Sequence, residues 1–356
     1  MDFSAKLLAD LTNANGTSGH EDAATEVMAA YMKGLAKIEY DKLGSIIGVK
    51  KGTSEEPRVL LDSHLDEVGF MVKEIDANGF IKFLPLGGWW GHVALGQRMR
   101  IITKKGPVIG VVGSRPPHML KDEERKKVLD IADMFIDVGT MTKYDVGKKL
   151  GVEVGDSIVP DSEFVVLNNK EMYLAKAFDN RVACALVIDT LRKFQNVKHP
   201  NTIFGVGSVQ EEVGLRGAAT VAHVTNPDVA IIIDVGIALD VPGYSDRVEK
   251  FGAGPTILIY DGGMIPNTRL RELVMTTARQ AKIPFHLSYM ERGTGDGARI
   301  HVTRAGVPCI YLGPPVRYIH SHNSILYRKD YDSTLKLIIE LVKKLDKKTV
   351  ASLTAR

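Results

Sequence analysis

The sequence predicts an α/β fold, a mixed sheet flanked by helices, with a small β-rich domain inserted into it. Short apolar runs bounded by turn residues, such as Val59-Leu60-Leu61, Val229-Ala230-Ile231-Ile232-Ile233 and Cys309-Ile310-Tyr311-Leu312, have the length and composition of buried strands. Helical apolar periodicity alternates with such runs before residue 69 and after residue 166. Between 70 and 165 strand signals dominate. The chain therefore divides into a larger α/β part, 1–69 and 166–356, and an inserted β-rich part, 70–165.

In chain order, residues 5–36 read as two helices, with Leu7, Leu8 and Leu11 on one face of the first and Val27, Met28, Tyr31 and Met32 on the second. Strands follow at 46–49 and 59–61. In the insert, 70–75 and 80–84 are joined through Asn78-Gly79, a strong hairpin turn, and 98–102 with 108–112 form a second pair. Residues 123–127 read as a solvated helix face. Beyond 166, the run from Val182 to Ile188 continues to Leu191 and Phe194 as a buried helix would. Strands at 202–209, 229–233 and 309–312 and a charged helix end at 343–348 complete the pattern.

A chain of 356 residues with 44% hydrophobic and 25% charged residues suits a globular protein of about two domains. The formal charge of +3 is small and scattered, which argues against a nucleic-acid partner. No segment approaches the roughly 18 uninterrupted apolar residues of a membrane span, and the first residues lack an export signal, so a cytoplasmic location is expected. Cys184 and Cys309 lie within apolar runs and read as reduced core residues.

Chemistry-bearing residues cluster at the predicted strand ends. His64 and Asp66, at i and i+2 after Val59-Leu60-Leu61, share one face of an extended segment, as a metal-binding imidazole and its supporting carboxylate would. Asp179 stands at or near a helix N-terminus, where an N-cap role is the competing reading. Glu211 and Glu212 end the strand at 202–209. Adjacent strand side chains diverge, so both reach one site only if the chain turns at Gly214. Asp234 closes the run 229–233, where a turn role competes, and His320 follows the strand at 309–312. In open α/β sheets ligands gather at the carboxyl ends of strands. Imidazoles and carboxylates without thiolates suit Zn²⁺, Co²⁺ or Mn²⁺, and the number of carboxylates points to two ions sharing one of them.

Taken together, His64-x-Asp66-Glu67-Val68-Gly69, Phe178-Asp179-Asn180-Arg181, Glu211-Glu212-Val213-Gly214, Asp234, Gly295-Asp296-Gly297-Ala298 and Arg317-Tyr318-Ile319-His320-Ser321 resemble the tetrahedral aminopeptidases, which include glutamyl aminopeptidases. The resemblance runs from Thr17-Ser18-Gly19-His20-Glu21 to the C-terminal helix. It implies a dinuclear zinc peptidase type of fold with a PDZ-like insert that serves oligomerisation, up to a dodecamer. It also implies that Asp179 bridges two metals, that His64 and Asp234 complete one site and Glu212 and His320 the other, that Glu211 is the general base, and that Asp66 orients His64. Short peptides, trimmed from the amino end, are the substrates so implied. The chain departs from many members in carrying His322 and Asn323 where proline is common, and His322 reads as lying outside the ligand set.

Some relatives of this family carry a glucanase label. Glycoside hydrolysis needs two carboxyl groups across a sugar and has no use for histidine ligands, so the chemistry argues against that activity here. A related carboxypeptidase or deacylase, and an inactive peptide-binding or assembly protein, are the alternatives to an aminopeptidase. Trp89-Trp90 suits either a neighbouring subunit or local packing, and His92, His118, His223, His286 and His301 read as structural or surface residues. Gly293-Thr294-Gly295-Asp296-Gly297 lacks the lysine of a phosphate loop and is expected to shape the pocket and cap the next helix.

Overall fold

The computed structural model describes residues 1–244 and 248–355. Its central sheet runs, edge to edge, through Lys37–Tyr40, Ile46–Lys51, Thr202–Gly207, Arg58–Asp62, Val229–Ile233, Cys309–Gly313, Thr256–Leu258 and His286–Ser288. The sheet is mixed, but its middle is parallel: Thr202–Gly205 pairs with Arg58–Leu61, Val229–Ile232 with Val59–Asp62, and Ala230–Ile233 with Cys309–Leu312. Four carboxyl ends therefore lie along one edge.

These middle strands are apolar throughout because helices cover both faces. Val59, Leu61, Ile231 and Ile233 point into a core shared with Leu7, Leu8, Met28 and Leu186. Leu60, Ala230 and Ile232, one residue out of phase, face a second core with Ala218, Val221 and Ile300. The helices Phe3–Asn13 and Asp22–Met32 bury the apolar positions Leu7, Leu8, Leu11, Met28 and Met32 as expected.

Six strands, Gly69–Ile75, Ile81–Leu86, Phe135–Asp137, Gly106–Gly113, Arg98–Thr103 and Ser157–Pro160, close into a small barrel in that order. The barrel has its own core, built on Phe70, Ile81, Met99, Ile101, Ile136 and Ile158. Both expected hairpins are present within it. Gly79 supplies the positive φ of 88° at the first turn, and the short helix Asp122–Arg125 buries nothing. Trp89 and Trp90 part company. Trp89 stacks on Phe70 with centroids 4.7 Å apart, whereas Trp90 is exposed and lies beside His92.

A second, five-stranded sheet includes Pro315–Arg317 and Ser324–Tyr327, antiparallel to each other. The loop joining them carries His320 at φ 53°. Among the described residues no helix is long and apolar enough to cross a membrane.

Candidate metal centre

Three of the four strand ends, a helix start and a loop of the second sheet deliver side chains to one cleft. His64 follows Arg58–Asp62 and is tied by a parallel bridge to Ser208 beyond the next strand. Asp179 enters on the first turn of the helix Phe178–Lys193, which is locally non-helical there. Glu211 and Glu212 both reach the cleft because the strand has ended at Gly207: Gln210 takes φ 57°, and Gly214 and Leu215 donate N–H to the Glu211 carbonyl, forming a turn. Asp234 follows Val229–Ile233, and His320 comes from the neighbouring small sheet.

Asp179 sits between the two imidazoles. Its Oδ1 lies 3.2 Å from His64 Nε2, and its Oδ2 lies 3.4 Å from His320 Nε2, which is also 3.4 Å from Glu212 Oε1. Potential ligand atoms come within 4.8 Å of one another in three overlapping groups: His64, Asp179 and Asp234; Asp179, Glu212 and His320; and His64, Glu211 and Glu212. Only Asp179 belongs to both of the groups that draw on Asp234 and His320, respectively.

The second ring nitrogens are fixed as a ligating imidazole requires. His64 Nδ1 faces the Asp66 carbonyl at 3.1 Å and Asp66 Oδ1 at 3.5 Å, while His320 Nδ1 faces the Gly88 carbonyl at 2.8 Å. Asp66 does more than the sequence suggested. Its carboxylate accepts the backbone N–H of Glu211 at 2.9 Å and of Glu212 at 3.1 Å, and the Ser18 hydroxyl at 2.6 Å. One buried carboxylate thus positions a histidine and both glutamates. Ser18 and Glu21, whose carboxylate accepts the Gln210 N–H at 3.0 Å, are further supports, signalled in sequence only by the 17–21 motif.

Gly88 comes from the segment that leads out of the barrel hairpin. A Cβ at Gly87 would stand 2.8 Å from Glu212 Oε2, and one at Gly88 3.2 Å from His320 Nδ1, so two glycines permit this close approach. His322 is buried and faces the Arg98 carbonyl through Nε2 at 2.9 Å, away from the metal-ligand groups. Asp296 occupies the N-cap position of Gly297–Ile300 but makes no side-chain capping bond, and its Oδ2 accepts the Ser208 hydroxyl at 2.7 Å. The cap expected of that loop is absent, because Asp296 itself takes helical angles, φ −54° and ψ −28°, instead of the extended conformation of a capping residue.

Burial pushes Glu212 up to about 8 and Asp234 up to about 7, in both cases reinforced by the Asp179 charge. Glu211 is likewise raised by burial and by the charges of Asp296, Glu212 and Asp234. Burial acts the same way on Asp179, but the bonds from His320 and His64 outweigh it and hold that carboxyl below the usual range. Burial disfavours a charged His320, yet Asp179 and Glu212 raise it to about 10. Such a concentration of buried acids is costly unless a cation balances it. Hard oxygen and imidazole donors, converging around a shared carboxylate, fit divalent metal ions.

A profile of the M42 glutamyl aminopeptidases matches residues 44–337. The glutamyl aminopeptidase of Lactococcus lactis subsp. cremoris is 33% identical over 347 residues, covering 96% of this chain and 97% of the relative. The crystal structure of a TET aminopeptidase from the marine sediment archaeon Thaumarchaeota archaeon SCGC AB-539-E09 superposes with a TM-score of 0.96 at 45% identity, covering 99% of this chain and all of that one. The Pyrococcus horikoshii TET1 peptidase, which can assemble into a tetrahedron or a large octahedral shell, matches with a TM-score of 0.85 at 28% identity, covering 96% and 100% of the two chains. With sequence and fold in agreement over nearly its whole length, the chain belongs to the M42 glutamyl aminopeptidase family and is a hydrolase acting on peptide bonds.

Proposed function

We propose that this protein is a dinuclear metal-dependent aminopeptidase that removes N-terminal residues from short peptides. The observation that carries the reading is Asp179, whose two oxygens face His64 and His320 on opposite sides, as a carboxylate shared by two ions must. His64 and Asp234 hold one ion and Glu212 and His320 the other, Zn²⁺, Co²⁺ or Mn²⁺ being the chemically suitable choices. When bound, such ions polarise the scissile carbonyl and activate water.

Glu211 is not needed in either of these ligand sets and acts as general base, accepting the proton of the attacking water on its carboxylate and returning it to the leaving amine. Asp66 is a positioning residue: its bonds to the Glu211 and Glu212 N–H groups fix where both carboxylates stand. Two buried, unpaired thiols suit the reducing cytoplasm.

We assign residues 70–165 to an oligomerisation domain and the native state to a dodecamer, a reading supported by the closed barrel and by the assembly of the Pyrococcus relative. Light scattering should then give a particle far above 39.0 kDa. A stable monomer at assay concentration rejects the assembly. For the activity, a good peptide substrate should lose all turnover on acetylation of its amino group, and elemental analysis should find two ions per chain. Unchanged cleavage of the acetylated peptide would instead identify a deacylase or carboxypeptidase.

A further inference from the structure

Next to the metal cleft lies a second cavity of about 270 Å³, which shares Asp234, Val235, Ile237, Met290 and Thr294 with it. The two adjoin along these residues, so a substrate whose scissile bond is at the metals can direct a side chain towards the second cavity. Its walls are largely aliphatic, from Leu239, Leu258, Leu312 and Met290. Among its lining residues stands one further carboxylate, Glu249, which is only 8% exposed.

Among the described residues Glu249 makes no ion pair. Its hydrogen-bond partner among the described residues is the Ser288 hydroxyl, 3.2 Å from Oε1, and no lysine or arginine lines the cavity. The nearby His286 does not neutralise it. Its Nε2 faces Thr256 Oγ1 at 2.8 Å, and burial holds its pKa below the usual imidazole range despite the Glu249 charge. A buried carboxylate without a counter-charge among the described residues is costly to maintain, and here it borders an open, largely apolar cavity. A side chain that is an aliphatic stem ending in a cation satisfies both features at once, its methylenes against the leucines and its charge on Glu249.

We propose that Glu249 is a specificity-determining residue and that the enzyme prefers peptides beginning with lysine or arginine. The inference rests on the aminopeptidase reading of the metal centre. It concerns the side-chain cavity alone, since Arg292, the cation that lines the metal cleft, is exposed and does not line this cavity.

The test uses the metal-loaded, full-length enzyme with lysyl, norleucyl and glutamyl p-nitroanilides. Norleucine has the lysine chain without its charge, so the ratio of the two kcat/KM values reads the counter-charge and little else. A lysyl-to-norleucyl ratio of about 10 to 100 is expected, the range for a hydrogen bond to a charged group, with the glutamyl substrate slowest. In Glu249→Gln that ratio should collapse to within about threefold of one. A ratio at or below one in the unmodified enzyme overturns the proposal even if the variant does not fold, and so does a ratio that survives in a folded variant. Glutamyl turnover above lysyl would also overturn it, by giving the selection to Arg292. If none of the substrates is cleaved, the aminopeptidase reading fails, and calorimetric binding of lysine amide against norleucine amide then decides the cavity separately: equal affinities overturn the proposal, and tighter lysine amide binding that Glu249→Gln abolishes sustains it.

Discussion

Two clusters of buried charge flank the start of the helix Phe178–Lys193, and they are balanced in opposite ways. In the first, Lys176 Nζ lies 2.5 Å from Glu67 Oε1, and the fully buried Arg181 donates to the carbonyls of Leu11, Ala14, Gly16 and Leu65. Its cations have partners supplied by the chain, and they pin the N-terminal helix and its following loop to the strand end that carries His64. In the second, Asp179, Glu211, Glu212 and Asp234 face two imidazoles, and the exposed Arg292 lines the cleft without pairing with any of them among the described residues. The first is a scaffold complete in itself. The second is complete only with a ligand, and a buried surplus of one sign of charge is the physical mark of that difference.

The largest effect should come from breaking the balanced cluster. Lys176→Ala leaves Glu67 with only the more distant Arg181, at 3.8 Å, as counter-charge and should cost about 3 kcal/mol in denaturant unfolding, with or without metal. If that variant lost metal while keeping its stability, the two clusters would not be separate. In the unbalanced cluster, removing an anion should spare the fold and harm function. Glu211→Gln is expected to retain both ions and to lose at least about 10²-fold in turnover. Glu212→Gln should fall towards one ion per chain and recover activity as metal is added. Because Glu211 also lies within ligand distance of His64, elemental analysis of the two variants is decisive: metal loss in the first with full loading in the second would exchange their roles.

A pH series sharpens the same contrast. In metal-free protein Asp234 and Glu212 are raised to about 7 and 8, so across the range from about 4 to 8 the native state holds more protons than the unfolded chain. His320, raised to about 10, extends the same sign upward from its unfolded value. Stability of the chelated protein should therefore fall as pH rises from about 4 to 8, above which the buried Lys176, lowered to about 8, contributes with the opposite sign. Metal binding displaces those protons, so the thermal shift on adding metal should grow with pH over that window. The smallest effect is the control: Lys51 and Glu55 form an exposed pair at the end of the strand Ile46–Lys51, and Lys51→Ala should leave the unfolding midpoint unchanged.

The candidate ligand set was legible because parallel strands buried on both faces write themselves as unbroken apolar runs, and the residue after each run is where such a sheet exposes chemistry. His64, Glu211 and Asp234 stand there, and the paired glutamates could be read together once Gly214 implied a turn. The supports were less legible because they act across long separations. Ser18 meets Asp66 through a contact 48 residues apart, and Gly88 meets His320 across 232. The side-chain cavity was not legible at all. Glu249 lies in no periodic run, and the residues around it, Thr256, Ser288 and Leu312, come from different strands whose adjacency is a property of sheet order.

The contact between Gly88 and His320 bears on how this molecule can be rebuilt. An inserted barrel with its own core invites transplantation, as a cassette to be deleted or exchanged between relatives. Here the cassette holds one of the candidate metal centre's own fastenings, the carbonyl that fixes the His320 ring, and it does so through two positions where a Cβ would crowd Glu212 and His320. A chimera that keeps the strands but replaces Gly87-Gly88 would fold its two halves and lose their registration. The pair of glycines is the seam at which the two parts become a single machine.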